Sequence, residues 1–343
     1  MSTISNFWNI EAAEFPQSGT YTEQLKFLLN YALLAPSGHN TQPWNFKIQD
    51  EAIALYADRT RALPVVDPQD RELIISCGTA LLNLRIALRH FGYTGKISTF
   101  PEPSQPDLLA TIQLGKPTQA SADEQMLFEA IPQRHTNRRD YENRDVPKSM
   151  LTWLQVDAAS EGAWLHVVKG DLTRQAIAEL VVRGDRWQMA NPDFRRELAA
   201  WIHPGSSSSH DGIPGYAYGV NQYLDFATPI FAWAMRTLDL GDAMAHHNRQ
   251  LTIQSPAILV LGTEQDTPRD WLAAGQALER VLLRSQAVGL SASFLNQPIE
   301  VPTLRSQLSK LIYASGYPQI LLRLGFGSEV KPTARRRVDE VLL

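Results

Sequence analysis

The feature that most constrains how this chain can fold is an internal repeat. Gly78-x-Ala80-Leu81 lies in an apolar helical pattern over 71–91 that stops at Gly92. Gly275-x-Ala277-Leu278 opens a second such pattern that stops at Gly289, and all four positions match at one constant offset. Each copy follows an apolar run (53–56; 258–261) and precedes a strand pattern ending in Leu114-Gly115 or Leu324-Gly325. Upstream, Trp44-x-Phe46-x-Ile48 has a partner in Trp164-x-His166-x-Val168, each preceded by a helix; Thr22 is placed to cap the first, over 21–34. Gly-x-Ala-Leu alone is a cheap match, but here the whole order of elements recurs with it. The chain therefore reads as two fused copies of one helix–hairpin–helix–strand unit. That makes the fold α+β: two pseudo-repeats, each a mixed or antiparallel sheet flanked by helices. The linker-like stretch 116–122 separates an N-terminal module, 1–118, from a C-terminal module, 119–343.

The copies differ in complementary ways. The first carries Ala35-Pro36-Ser37-Gly38-His39-Asn40-Thr41-Gln42-Pro43-Trp44, a dense set of hydrogen-bonding side chains between two prolines. Such a loop is either ordinary turn chemistry or a ligand-binding loop, with Gly38 allowing close backbone approach. At the same place the second copy has only Ala158-Ala159-Ser160-Glu161-Gly162-Ala163. In exchange it opens with Arg134-His135-Thr136-Asn137-Arg138-Arg139, which is either a solvated basic linker or a set of planar forks and short polar groups suited to a phosphate and its polyol. Loss of one loop from each copy points to a single composite ligand site between them.

Composition removes several alternatives. A net charge of -4 without a basic stripe gives no footprint for nucleic acid. No apolar run reaches membrane-spanning length, and the first residues lack a leader pattern, so a soluble, cytoplasmic protein is expected. The single cysteine, Cys77, excludes an intramolecular disulfide framework and falls in a helical pattern with Ile74, Leu81 and Leu84, as a buried core thiol would. His246-His247 point in different directions on a helix and have no accompanying ligand set, so no metal is expected. Neither a P-loop nor a G-x-G-x-x-G following a strand is present.

Ala35-Pro36-Ser37-x-x-Asn40-x-Gln42-Pro43-Trp44 together with Arg134-x-Thr136-Asn137-Arg138 resembles the FMN-dependent nitroreductase superfamily, and within it the single-chain, internally duplicated, Acg-type branch. Gly289-Leu290, Phe294-Leu295-Asn296-Gln297-Pro298 and Pro332-Thr333-Ala334-Arg335-Arg336-Arg337 fit the same pattern. The chain departs from the commoner Arg-Arg-Ser opening at His135 and Thr136.

The resemblance implies one FMN per chain, held between the repeats. It implies contacts from Ser37, His39, Asn40 and Gln42 in the first unit and from Arg134, Thr136, Asn137 and Arg138 in the second. Leu295, Asn296 and Gln297 would lie along the ring near N5, and Arg335 and Arg337 would bind phosphate. It further implies an NAD(P)H-dependent oxidoreductase that reduces nitroaromatics or quinones in ping-pong fashion, with no protein residue as catalyst. The rival is an FMN storage protein with an occluded flavin. NAD(P)H and a small aromatic acceptor are the expected partners, with the chain a monomeric pseudo-dimer or a higher homo-oligomer. The insertion around 170–250, rich in Gly, Pro and Ser over 203–215 after a helix over 171–200, is either a lid placing Tyr216 or Tyr218 near the pocket or a surface loop.

Overall fold

The computed structural model describes residues 7–218 and 226–343. In the first unit, helix α1 (Tyr21–Ala32) leads into hairpin β1 (Trp44–Gln49) and β2 (Ala52–Ala57). Helix α2 (Arg71–His90) follows, then hairpin β3 (Tyr93–Thr99) and β4 (Leu108–Pro117). The sheet is antiparallel throughout, in the order β1-β2-β4-β3. After α3 (Ala122–Ala130), the second unit repeats the plan with α4 (Lys148–Ser160) and β5 (Trp164–Val167).

The insertion comes next: α5 (Asp171–Ala190), α6 (Pro192–Ala200), the short strands β6 (Ile202–His203) and β7 (Ile213–Pro214), then α7 (Thr228–Thr237) and α8 (Gly241–Gln254). It separates β5 from its hairpin partner β8 (Ala257–Thr263). Helix α9 (Pro268–Ala287), β9 (Ser291–Phe294), α10 (Gln297–Glu300), α11 (Pro302–Leu311) and β10 (Tyr317–Gly325) complete the chain's main elements. The second sheet has the order β5-β8-β10-β9, the same as the first once corresponding strands are aligned. Each unit is thus a helix, an antiparallel strand pair, a second helix and a second antiparallel pair, one strand richer than the sequence pattern suggested. The added strands are β3, half-exposed and glycine-containing, and the four-residue β9.

The repeated glycines are where the units touch. At Gly78 on α2 a Cβ would lie 2.4 Å from the Leu272 carbonyl oxygen and 2.9 Å from Gly275 Cα. At Gly275 on α9 one would lie 2.0 Å from the Ile75 carbonyl oxygen. The two central helices cross backbone against backbone, a separation only glycine permits. One hydrophobic core runs through this crossing, from Leu28 and Leu29 on α1 through Leu81 and Leu84 to Leu283 and Leu322. Cys77 belongs to it; burial pushes its thiol far up, and Sγ donates to the Pro43 carbonyl at 3.2 Å. Each sheet also receives a single parallel bridge from elsewhere: Leu342 beside Phe46 on β1, and Thr136 beside Ala292 on β9.

Two local expectations change. Helix α1 is capped by Thr20 rather than Thr22, in a reciprocal capping box with Glu23. The helix expected over 171–200 is two helices, broken where Asn191 caps α6 and Pro192 occupies its first turn.

Candidate functional site

The polar loop after α1 is fastened to α2. Thr79 Oγ1 donates to the Pro36 carbonyl at 2.8 Å, Ser76 Oγ accepts from Gly38 N–H at 3.3 Å, and Ser37 Oγ accepts from Gln42 N–H at 2.9 Å. The left-handed backbone in this loop falls on His39 (φ 48°), Asn40 (φ 55°) and Gln42 (φ 51°). Gly38 lies outside that region, and a Cβ there would make only ordinary contacts with Leu63 and the Glu72 carboxylate. The strained backbone of the loop is thus carried by three residues with side chains, while the space beside Gly38 is left open. Each left-handed non-glycine residue costs roughly 1 kcal/mol or more, so surrounding bonds must impose the shape.

Those bonds come from three directions. Asn40 Nδ2 donates to the Gly212 carbonyl at 2.9 Å and the Ala334 carbonyl at 3.1 Å, and its Oδ1 accepts from Arg335 Nη1 at 3.0 Å. Gln42 Nε2 donates to the His210 carbonyl at 2.8 Å, while its Oε1 accepts from Arg336 N–H at 2.7 Å. Arg61 Nη1 donates to the Thr41 carbonyl at 2.9 Å and to Asp211 Oδ2 at 2.8 Å. The stretch 201–216 thus lies as a strap across the loop. Its far end is pinned by Tyr216, whose hydroxyl donates to the Pro332 carbonyl at 2.5 Å. The corresponding expectation for Tyr218 concerns a side chain outside the described residues.

The basic segment enters from the other unit. Asn137 N–H donates to the Ala292 carbonyl at 2.9 Å, extending β9, and Asn137 Nδ2 donates to the Ser328 carbonyl at 2.8 Å. Arg134 and Arg335 then converge: an Nη2 of each donates to the same Leu34 carbonyl, both at 3.2 Å, and each side chain is buried. Both Nε atoms lack a hydrogen-bond partner among the described residues. Burial, then the charge of Arg134, pulls Arg335 down to about 9, so an anion here would be welcome. Trp8 closes the outer side, its ring edge-on to His135 at 4.3 Å and stacked beneath the Arg335 guanidinium at 4.7 Å.

Electrostatics connects the two segments. Burial, reinforced by the Arg138 charge, lowers His39 to about 4, so its ring is neutral at neutral pH. His135 is lowered further, to about 3, by burial and by Arg134 and Arg335. His135, where the commoner pattern has Arg, therefore adds no cation beside Arg134 and Arg335.

The structure draws together His39 and Asn40 with Arg134, Arg138 and Arg335, while Ser37 Oγ serves the Gln42 N–H of its own loop. It gives other expected ligands mainly structural bonds. Gln42 is committed as above, and Asn137 holds the β9 extension. Asn296 Oδ1 accepts from Leu321 N–H at 3.0 Å, and Leu295 is core. Arg337 is exposed and forms a two-point pair with Asp339. Gln297 Nε2 donates to Asp185 at 3.0 Å, while its Oε1 is buried and unpartnered. These orphaned donors and acceptors, above all the two guanidinium Nε atoms, fit the phosphate and polar edge of the FMN that the resemblance implies. Sequence reading passed over Glu279, which is wholly buried on α9 with its Oε1 3.5 Å from Arg134 Nε. Its signal was spacing: Leu272, Gly275, Glu279 and Leu282 mark one apolar helix face with an acid in it.

Among the described residues no helix is long and apolar enough to cross a membrane, and no group of three or more His, Cys, Asp or Glu is placed to hold a metal. No protein-family model matches the chain. It is 32% identical over 327 residues to "Putative NAD(P)H nitroreductase Rv3131" of Mycobacterium tuberculosis, covering 93% of this chain and 91% of that protein. It is 27% identical over 335 residues to "Putative NAD(P)H nitroreductase acg" of the same organism, covering 95% and 97%. Among solved structures, the FMN and NADPH-dependent nitroreductase NfnB of a Sphigopyxis species aligns with 63% of this chain and 96% of its own, at 16% identity and a TM-score of 0.42.

Proposed function

The chain belongs to the NAD(P)H nitroreductase family, and from that premise we propose that it is an FMN-dependent NAD(P)H oxidoreductase whose single flavin sits between the two units. The observation that carries this is the convergence of Arg134 and Arg335 on one carbonyl with neither Nε hydrogen-bonded among the described residues. An FMN phosphate brings up to about two negative charges, and charge-assisted bonds contribute about 1.5–3 kcal/mol each. Two buried arginines therefore suffice to anchor it. Thr136 supplies a hydroxyl to the flavin, and Arg138 a cation for its electron-rich edge. His39, kept neutral, offers polarity without a competing charge. FMN, when bound, supplies the hydride chemistry.

NAD(P)H and then a small aromatic acceptor, a nitroaromatic or a quinone, take turns at the exposed face. No side chain is needed as an acid or base in that exchange. A second reading is favoured by one observation: the strap is hydrogen-bonded directly onto the loop at Asn40 and Gln42. Tightly latched, it would exclude both substrates and leave a flavin-storage protein.

The test is to purify the chain, identify the released cofactor by mass, and mix the yellow protein with NADPH without oxygen. Bleaching within seconds, with colour restored by a quinone, supports the reductase. Persistent colour favours storage. A colourless protein that takes up no FMN defeats both.

A further inference from the structure

Behind the arginine pair lies a buried polar cluster for which flavin binding alone gives no reason. Glu279 projects into it from α9, 0% exposed, and neither carboxylate oxygen accepts a hydrogen bond of good geometry, the nearby Asn83 amide donating to the Tyr31 carbonyl. Arg134 Nε, 3.5 Å from Oε1, is an ion-pair neighbour at a distance too long for a good bond. Asn83 Oδ1 on α2 and the Tyr31 hydroxyl on α1 are also buried without partners. A buried carboxylate so poorly served is unstable as an anion unless cations compensate it.

The charges around it are few. Arg134 faces Glu279 from the basic segment, Arg335 from the C-terminal tail, and the Asn83 amide from α2. His135 is neutral, and the Tyr216 hydroxyl, bound to the Pro332 carbonyl, acts on Arg335. Farther along α9, Arg284 is already paired with Asp123 and Asp157. With Glu279 ionised the trio carries one net positive charge; with it protonated, two, which matches a phosphate monoester dianion.

We infer that Glu279 is the proton-linked counter-ion of this subsite: binding of a phosphate monoester at Arg134 and Arg335 drives uptake of one proton by the Glu279 carboxylate. The inference rests on the proposal that these arginines hold the FMN phosphate. The proton comes from solvent and forms an O–H bond at Oε1 or Oε2; nothing is oxidised or reduced. Burial already pushes Glu279 up to about 7, and Arg134, then Asn83 and Arg335, oppose that rise. A phosphate that engages the guanidinium groups weakens the opposition and adds a like charge nearby, and both effects favour the acid form. Glu279 thereby acts as a positioning residue. It holds Arg134 in place before the cofactor arrives and gives up its charge when it binds.

The test is calorimetric titration of FMN into the deflavinated full chain at pH 8, where free FMN is already a dianion, in buffers of different ionisation enthalpy. The expected result is uptake approaching one proton per FMN, with none for riboflavin, which lacks the phosphate. FMN affinity should fall by up to tenfold per pH unit above the range where free Glu279 titrates, as one linked proton requires. Glu279→Gln should abolish both the uptake and the slope. FMN binding with no uptake overturns the inference while leaving the flavin site intact, as does uptake that persists in Glu279→Gln. Failure of FMN to bind removes the site and the inference together. If the variant does not fold, the wild-type comparison of FMN with riboflavin decides alone.

Discussion

Asn40 and Arg335 stand 295 positions apart in the chain, yet Arg335 Nη1 donates to Asn40 Oδ1 at 3.0 Å. The same asparagine holds the strap through the Gly212 carbonyl and the tail through the Ala334 carbonyl. One buried amide thus sets the distance between the first-unit loop, the strap and a proposed phosphate ligand. Asn40→Ala leaves two carbonyls and a guanidinium N–H without it. At about 1–3 kcal/mol for each buried unpaired group, and less than additively, we expect about 3 kcal/mol of lost stability. Urea unfolding read by tryptophan fluorescence measures it. A loss below about 1 kcal/mol would mean that water substitutes freely for the amide.

A glycine-to-alanine change on a helix ordinarily stabilises by roughly 1 kcal/mol through propensity. Gly78→Ala should do the opposite, because its Cβ would meet the Leu272 carbonyl oxygen at 2.4 Å and rigid backbone cannot turn aside. Overpacking of this kind costs about 1–3 kcal/mol, and here also forces the two units apart. A net loss of about 2 kcal/mol is expected from thermal unfolding, and Gly275→Ala should behave alike. The double variant should lose less than the sum, since one shift of α9 relieves both clashes. Additive losses would place the two glycines in separate packing problems.

The two glycines were legible in the sequence as a repeat, but not as a crossing: that two backbones touch there, where nothing but glycine serves, appears only when α2 meets α9. The loop 35–43 and the segment 134–139 were legible because polar side chains concentrated on short connections stand out from turn chemistry. The strap was not. Gly, Pro and Ser over 203–215 announce irregular backbone, but where it lands depends on Asn40, Gln42 and Arg61, which contact it only in the folded chain. Glu279 escaped because an acid among helical residues reads as a solvated face until packing buries it. Asn137, Asn296 and Gln42 matched a ligand pattern, yet their amides mainly bind backbone. Sequence shows that a polar group is present, and tertiary structure decides what it satisfies.

His39 offers a pH prediction with a definite sign. Its folded value, about 4, lies below the ordinary 6.5, so between those limits the unfolded chain takes up a proton that the native ring refuses. Stability from this residue is present above pH 6.5 and is lost as pH falls toward 4. At about 1.4 kcal/mol per unit the upper limit is about 3 kcal/mol, reduced in proportion to the ring's partial exposure. His39→Asn, which tolerates the left-handed backbone, should flatten this part of the acid limb. Denaturant midpoints compared at pH 7 and pH 5 read the difference directly. An unchanged pH dependence would show that the ring takes up its proton alike in both states.

The latch between Arg61 and Asp211 decides between the two functional readings. Burial alone would raise the Asp211 carboxyl, but bonds from His203, Ser209 and Arg61 outweigh it and hold the group well below the usual carboxylate range. The Asp211 carboxylate therefore stays ionised at every pH the protein is expected to meet. Asp211→Asn keeps the shape, removes the charge, and should weaken closure by roughly 1–2 kcal/mol, the usual size of a charge-assisted bond in a half-buried place. If strap opening limits access, anaerobic stopped-flow mixing with NADPH should show flavin reduction accelerated by about tenfold, since about 1.4 kcal/mol corresponds to one decade. A rate that was already fast and does not change assigns the strap to positioning Asn40 and Gln42, with turnover unimpeded. Reduction absent in the parent but gained in Asp211→Asn would identify a flavin store whose latch is this ion pair.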